Sequence, residues 1–141
     1  MNRKLSNVEL LNEINKIEFF ILRNQDRNEL LSLLKELIYI NIDNVEKVSR
    51  ELINMIGNNH SGIYYVEASQ VIDFLILVLE NSIENKIRGI CVLSILNNLF
   101  YFQPVFYSDK SKVDKKLQGV LKNKLNIYSD DNFDNLMKMY E

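Results

Sequence analysis

Tryptophan is absent, and cysteine, histidine and proline occur once each, at Cys91, His60 and Pro104. A lone cysteine excludes an internal disulfide framework and a thiolate zinc cluster, and it suits a reducing compartment. One proline and four glycines cannot supply the frequent turns of a strand-rich fold, so the scarcity points to long helices joined by short polar loops. No glycine-rich phosphate loop is present. The longest apolar run, Val71 to Leu79, is interrupted by Asp73 and falls far short of a membrane span. The start, Met1-Asn2-Arg3-Lys4-Leu5-Ser6-Asn7, leads into charged helix instead of an apolar signal core. The expectation is a soluble, cytoplasmic protein. A formal net charge of −2 is too small to mark a nucleic-acid binder or a polyanion mimic.

What is present is an ordinary globular mix. Hydrophobic residues make up 47% and charged ones 26% of 141 residues, enough for one domain with a sizeable core. Asparagine, isoleucine and lysine are abundant, a bias typical of an AT-rich genome and suggestive of a bacterial source.

Four pairs fit a capping box: Ser6 with Glu9, Asp26 with Glu29, Asp43 with Glu46, and Asn81 with Glu84. In each, an oxygen side chain takes an orphan amide and the acid three residues on returns the favour. Between them the apolar spacing predicts helices over about Asn7–Leu22, Arg27–Ile40 and Asn44–Ile56. Gly57 is expected as a left-handed cap, and Asn58 to Gly62 as a loop. The forty residues Ile63 to Phe102 are predicted to form a buried pair of helices, about Ile63–Leu79 and Ser82–Phe102, the second ending ahead of Pro104. Ser108 or Asp109 would open a sixth helix to about Asn126, and Asp131 to Tyr140 a seventh. The fold class is therefore all-α: a single domain, residues 1–141, of six or seven antiparallel helices, either a bundle or a short stack of helical hairpins.

Candidate sites are few. His60 sits among ordinary turn formers and reads as a solvent-facing loop residue. Cys91, flanked by Ile90 and Val92, reads as a small residue that lets helices approach; a nucleophile would need a base or a positive environment, and Arg88 alone is near. Asp130, Asp131 and Asp134 lack the calcium-loop pattern and are explained by capping of the last helix. No metal or cofactor is expected, and no enzyme.

Charge is uneven. From Asp26 to Glu84 there are ten acids and four bases; from Asn85 to Tyr128, eight bases and two acids. The lysines Lys110, Lys112, Lys115, Lys116, Lys122 and Lys124 could follow phosphates along the sixth helix, although Asp109 and Asp114 interrupt them. In the fourth helix Glu67, Gln70 and Asp73, three apart, would form one narrow wet strip. Tyr64-Tyr65 and Phe100-Tyr101-Phe102 with Phe106-Tyr107 would meet at one end of an antiparallel pair, as core edges or as interface anchors.

The segment Asn85 to Leu99 resembles one helix of a HEAT-like repeat: Ile87 and Arg88, small residues at Cys91 and Ser94, then Ile95 or Leu96 and Leu99. It occurs once. In size, asparagine-rich composition, helical hairpins and the missing catalytic motif, the chain is similar to the small all-helical immunity proteins of bacterial toxin systems, including contact-dependent growth inhibition. That resemblance implies a non-enzymatic protein that occludes a cognate toxin domain, for example a basic nuclease. The acid-biased half supplies the expected contact residues: Glu46, Glu51, Glu67 and Asp73 for charge, Tyr64 and Tyr65 as anchors. The alternative is a structural or regulatory subunit that meets nucleic acid through the Lys110–Lys124 helix.

Overall fold

Helix α1, Asn7–Ile14, begins where the sequence places it. Ser6 Oγ accepts from Glu9 N–H at 3.2 Å and Glu9 Oε1 accepts from Ser6 N–H at 3.3 Å, a complete capping box. In the computed structural model, which describes residues 4–17, 24–58, 63–64, 68–104 and 119–140, this helix is followed by α2, Asn24–Ile38, and α3, Val45–Ile56. Next come α4, Ala68–Glu80, and α5, Lys86–Tyr101. Residues 119–125 form α6, a 3-10 turn covers Asn126–Tyr128, and α7 spans Asp130–Lys138. The fold is all-α. Two-residue extended pieces accompany the helices: β1, Gly57–Asn58, pairs antiparallel with β2, Ile63–Tyr64, which pairs parallel with β3, Gln103–Pro104.

The other three predicted capping boxes are not the ones the chain uses. Helix α2 starts at Asn24, so Asp26 lies within its first turn. The residue before α3 is Asn44, with no side-chain cap bond; its Oδ1 instead accepts from Asn41 N–H. The cap of α5 is Asn85, whose Oδ1 accepts from Arg88 N–H at 3.2 Å. Asn81 works elsewhere, accepting from Leu5 N–H at 2.6 Å and donating to Leu77 O at 2.8 Å. For α5 a tertiary partner made the choice: Leu5 N–H claims Asn81, and Asn85 caps the helix instead. Gly57 is also not left-handed: its φ of −162° is extended, and it opens β1. Ile63 and Tyr64 belong to β2 and not to α4, as suits their preference for extended backbone. The last helix, α7, is preceded by Ser129, which makes no side-chain cap bond; the side chains of Asp130 and Asp131 lie outside the described residues.

The helices pack as a closed ring, α1 on α2, α2 on α3, α3 on α5, α5 on α4 and α4 back on α1, with α7 laid against α5. Return of α4 to α1 closes helices α1 to α5 on themselves, as in a bundle. Leu10, Leu34, Leu37, Leu52, Ile56, Ile72, Leu75 and Leu93 are fully buried in one continuous core. Burying each such side chain contributes on the order of 1.5–3 kcal/mol.

Helix α5 is the hub, and its least expected core member is charged. Arg88 is 3% exposed. Its Nε donates to Ser82 Oγ at 2.7 Å, and Nη1 donates to Asn7 Oδ1 at 2.9 Å and to Ile38 O at 3.2 Å. Nη2 donates to Asn81 O. One guanidinium thus binds the start of α1, the end of α2 and the α4–α5 turn to α5. All four acceptors are neutral. Burial lowers its pKa from the ordinary arginine value, and the hydrogen bonds offset the cost of holding a cation away from water. Along the HEAT-like segment Cys91, Ile95, Leu96 and Leu99 are buried with it.

Helix α7 is held by a close fit. The Tyr140 ring lies so near Gly89 that a Cβ on that glycine would fall 2.1 Å from Tyr140 Cδ1. Tyr140 OH donates to Leu79 O at 3.2 Å.

Candidate protein-interaction surface

The expected contact residues fall into separate places. Glu46 and Glu51 are on α3, exposed and half-buried respectively. Asp73 is on α4, exposed, and accepts from Lys124 Nζ at 2.7 Å. Helix α3 packs on α2 and α5, whereas α4 packs on α5 and α1. Tyr64 contributes backbone to β2, paired with Pro104; its side chain, Tyr65 and Glu67 lie outside the described residues. Gln70 and Asp73 do line one cleft of about 380 Å³ between α1 and α4, with Glu13, Lys16, Phe74 and Leu77. There both acids already have lysine partners, Glu13 with Lys16 at 2.8 Å and Asp73 with Lys124.

The paired state of Asp73 also bears on the basic sixth helix. Lys124 is half-buried and committed to Asp73, and Lys122 is exposed. Lys110, Lys112, Lys115 and Lys116 lie outside the described residues, as do His60, Phe106 and Tyr107. Burial pushes the Cys91 thiol up to about 12, which keeps it protonated and unreactive at neutral pH. Among the described residues no group of three or more His, Cys, Asp or Glu side chains could hold a metal ion. Phe100 and Tyr101 meet edge-to-face, centroids 4.9 Å apart at 87°, and Phe102 is buried.

One arrangement of acids is left open. Between α2 and α3 a groove of about 440 Å³ is lined by Glu29, Ser32, Leu33 and Glu36 from α2 and by Lys47, Glu51, Asn54 and Met55 from α3. Glu29, Ser32, Leu33 and Glu36 stand at helical spacings of three, four and seven, one face of α2. Lys47, Glu51 and Asn54–Met55 do the same on α3. Leu33 and Met55 give the groove an apolar floor, and three carboxylates face a single lysine around it. None of Glu29, Glu36, Glu46 and Glu51 has an ion-pair partner among the described residues, unlike Glu13, Asp73 and Glu84, each bound to a lysine.

Of the acids lining this groove, Glu51 was singled out in the sequence; Glu29, read as a capping acid, and Glu36 were not. The missed signal was the repeat of acids seven apart on the polar side of a leucine-rich helix. Equally unforeseen is the α2–α3 corner, where Tyr39 is 53% and Ile42 76% exposed. An isoleucine flanked by Asn41, Asp43 and Asn44 was the available clue. Comparison with protein-family models, curated protein sequences and solved structures finds no match to this chain.

Proposed function

We propose that this chain is a non-enzymatic binding protein of the immunity class, which meets a basic toxin domain in the cytoplasm and occludes it. The observation that carries the reading is the α2–α3 groove, where Glu29, Glu36 and Glu51 surround an apolar floor with no cation bound to them among the described residues. Carboxylates left unpaired beside apolar surface are complementary to a lysine- or arginine-bearing partner, and such complementarity speeds association more than it deepens affinity. The buried, protonated Cys91 thiol supports a role without nucleophilic chemistry. No helix among the described residues is long and apolar enough to cross a membrane.

The α2–α3 acids are better probes of this reading than Asp73. Charge reversal at Asp73 would break its pair with Lys124 before it tested any partner. The deciding experiment is rescue: cells expressing the variable C-terminal domain of a large secreted protein encoded beside this chain should survive only when the chain is co-expressed. Glu36→Lys with Glu51→Lys should lose protection while retaining the wild-type melting curve. Absence of rescue by the wild-type chain would overturn the reading.

A further inference from the structure

The corner between α2 and α3 carries more than the turn requires. Asn41 Oδ1 accepts from Asp43 N–H at 2.9 Å and from Asn44 N–H at 3.2 Å, and Asn44 Oδ1 accepts from Asn41 N–H at 2.9 Å. These three bonds close the corner on itself, and buried Ile40 seats it on the core. Asparagine and aspartate explain the turn. Ile42 does not: it is no turn former, contributes nothing to the core and is the most exposed large hydrophobic among the described residues, at 76%. Tyr39, 53% exposed, follows Glu29, Ser32 and Glu36 at the same three- and four-residue spacing, so it continues the groove face beyond the end of α2.

We propose that Tyr39 and Ile42 form a preset apolar knob that enters a pocket on the partner protein, a pocket rimmed by lysine or arginine. The proposal rests on the binding reading given above. The acid rim sets the partner's charge: Glu36 precedes the knob, and Asp43 and Glu46, both exposed and without an ion pair among the described residues, follow it. Continuity with the groove sets its place, since Glu36 belongs to both. A β-branched side chain on a hydrogen-bonded corner has little freedom left to lose on docking, which is what an anchor needs. Aromatic and apolar anchors at the centre of an interface carry most of its energy, with charged neighbours forming the rim.

The test uses an inactivated form of the toxin domain from the rescue experiment and the intact chain, with affinity read by calorimetry. Ile42→Ala and Tyr39→Ala should each weaken binding roughly tenfold or more. Val8→Ala, at an exposed apolar residue on α1 (63% exposed), should leave it unchanged. Circular dichroism melts should coincide for all three variants, because none of these side chains belongs to the core. If the wild-type chain binds and Ile42→Ala binds equally well, the knob is overturned while the binding reading stands. A Val8→Ala loss as large as that of Ile42→Ala would also overturn it. So would a wild-type dimer that Ile42→Asp converts to monomer, which would assign the corner to a second copy of this chain. Failure of the wild-type chain to bind at all removes the binding reading and the knob with it.

Discussion

The α4–α5 and α2–α3 hairpins are built from the same kinds of residue and use them in opposite ways. At the α4–α5 turn the polar groups are consumed inside the molecule: Arg88 donates to Ser82 Oγ and Asn81 O, and it also reaches Asn7 and Ile38. At the α2–α3 corner asparagines lock only the turn itself, and the carboxylates around it have no ion-pair partner among the described residues. One hairpin holds the bundle shut, and the other is where the proposed partner contact is placed. Polar residues whose partners lie in distant elements secure the fold; those without partners are free to serve a ligand.

The largest break in this contrast should come at Arg88. Replacing it with methionine removes the cation and strands Ser82, Asn81, Ile38 and Asn7 acceptors, at a cost of about 3–5 kcal/mol. Urea denaturation would measure it, and a loss under about 1 kcal/mol would mean the guanidinium is not the tie described. Gly89→Ala comes next. The added methyl overlaps the Tyr140 ring, so about 1–3 kcal/mol should be lost and α7 displaced. In a Tyr140→Ala background the same substitution should cost much less, a non-additivity that a double-mutant cycle detects.

Alkaline pH probes the same interior. The Cys91 thiol is raised from 9.0 to about 12, and the Tyr128 hydroxyl from 10.0 to about 12, by burial first and for Tyr128 by Glu80 and Tyr140 next. The unfolded chain releases these protons at lower pH than the native one. Stability is therefore unaffected by either group below pH 9 and falls from there toward pH 12. Cys91→Ala should flatten the earlier part of that decline in pH-dependent melts; an unchanged profile would show that the thiol does not contribute. The smallest effects belong to surface charge. Asp73→Asn should cost under about 1 kcal/mol and less in high salt, while Glu36→Lys should shift stability by no more than about 0.5 kcal/mol.

Much of the fold was readable from periodicity. Leu30, Leu34 and Leu37 on α2 and Val48, Leu52 and Ile56 on α3 recur at helical spacing, and all are buried. Helix existence was therefore secure, but helix ends were not. Asn81 with Glu84 was the cap expected, but Leu5 N–H claims Asn81 from 76 residues away and Asn85 caps α5 instead. Arg88 was visible only as part of a repeat-like pattern, because nothing local says that Asn7 and Ile38 will converge on it. The predicted contact acids do not share one environment: Glu46 and Glu51 lie in the acidic hairpin, whereas Asp73 has a partner 51 residues further along. A charge count cannot separate a bound carboxylate from an open one.

The residues by themselves determined that the chain would be helical, where its apolar faces run, and that Ser6 would start the first helix. These depend on neighbours within a turn or two, which local spacing encodes. Closure of the ring, burial of Arg88 and the division of acids between ion pairs and an open groove were decided only by tertiary structure. Each depends on which distant groups arrive within hydrogen-bond reach, and that distance is a property of the packed bundle.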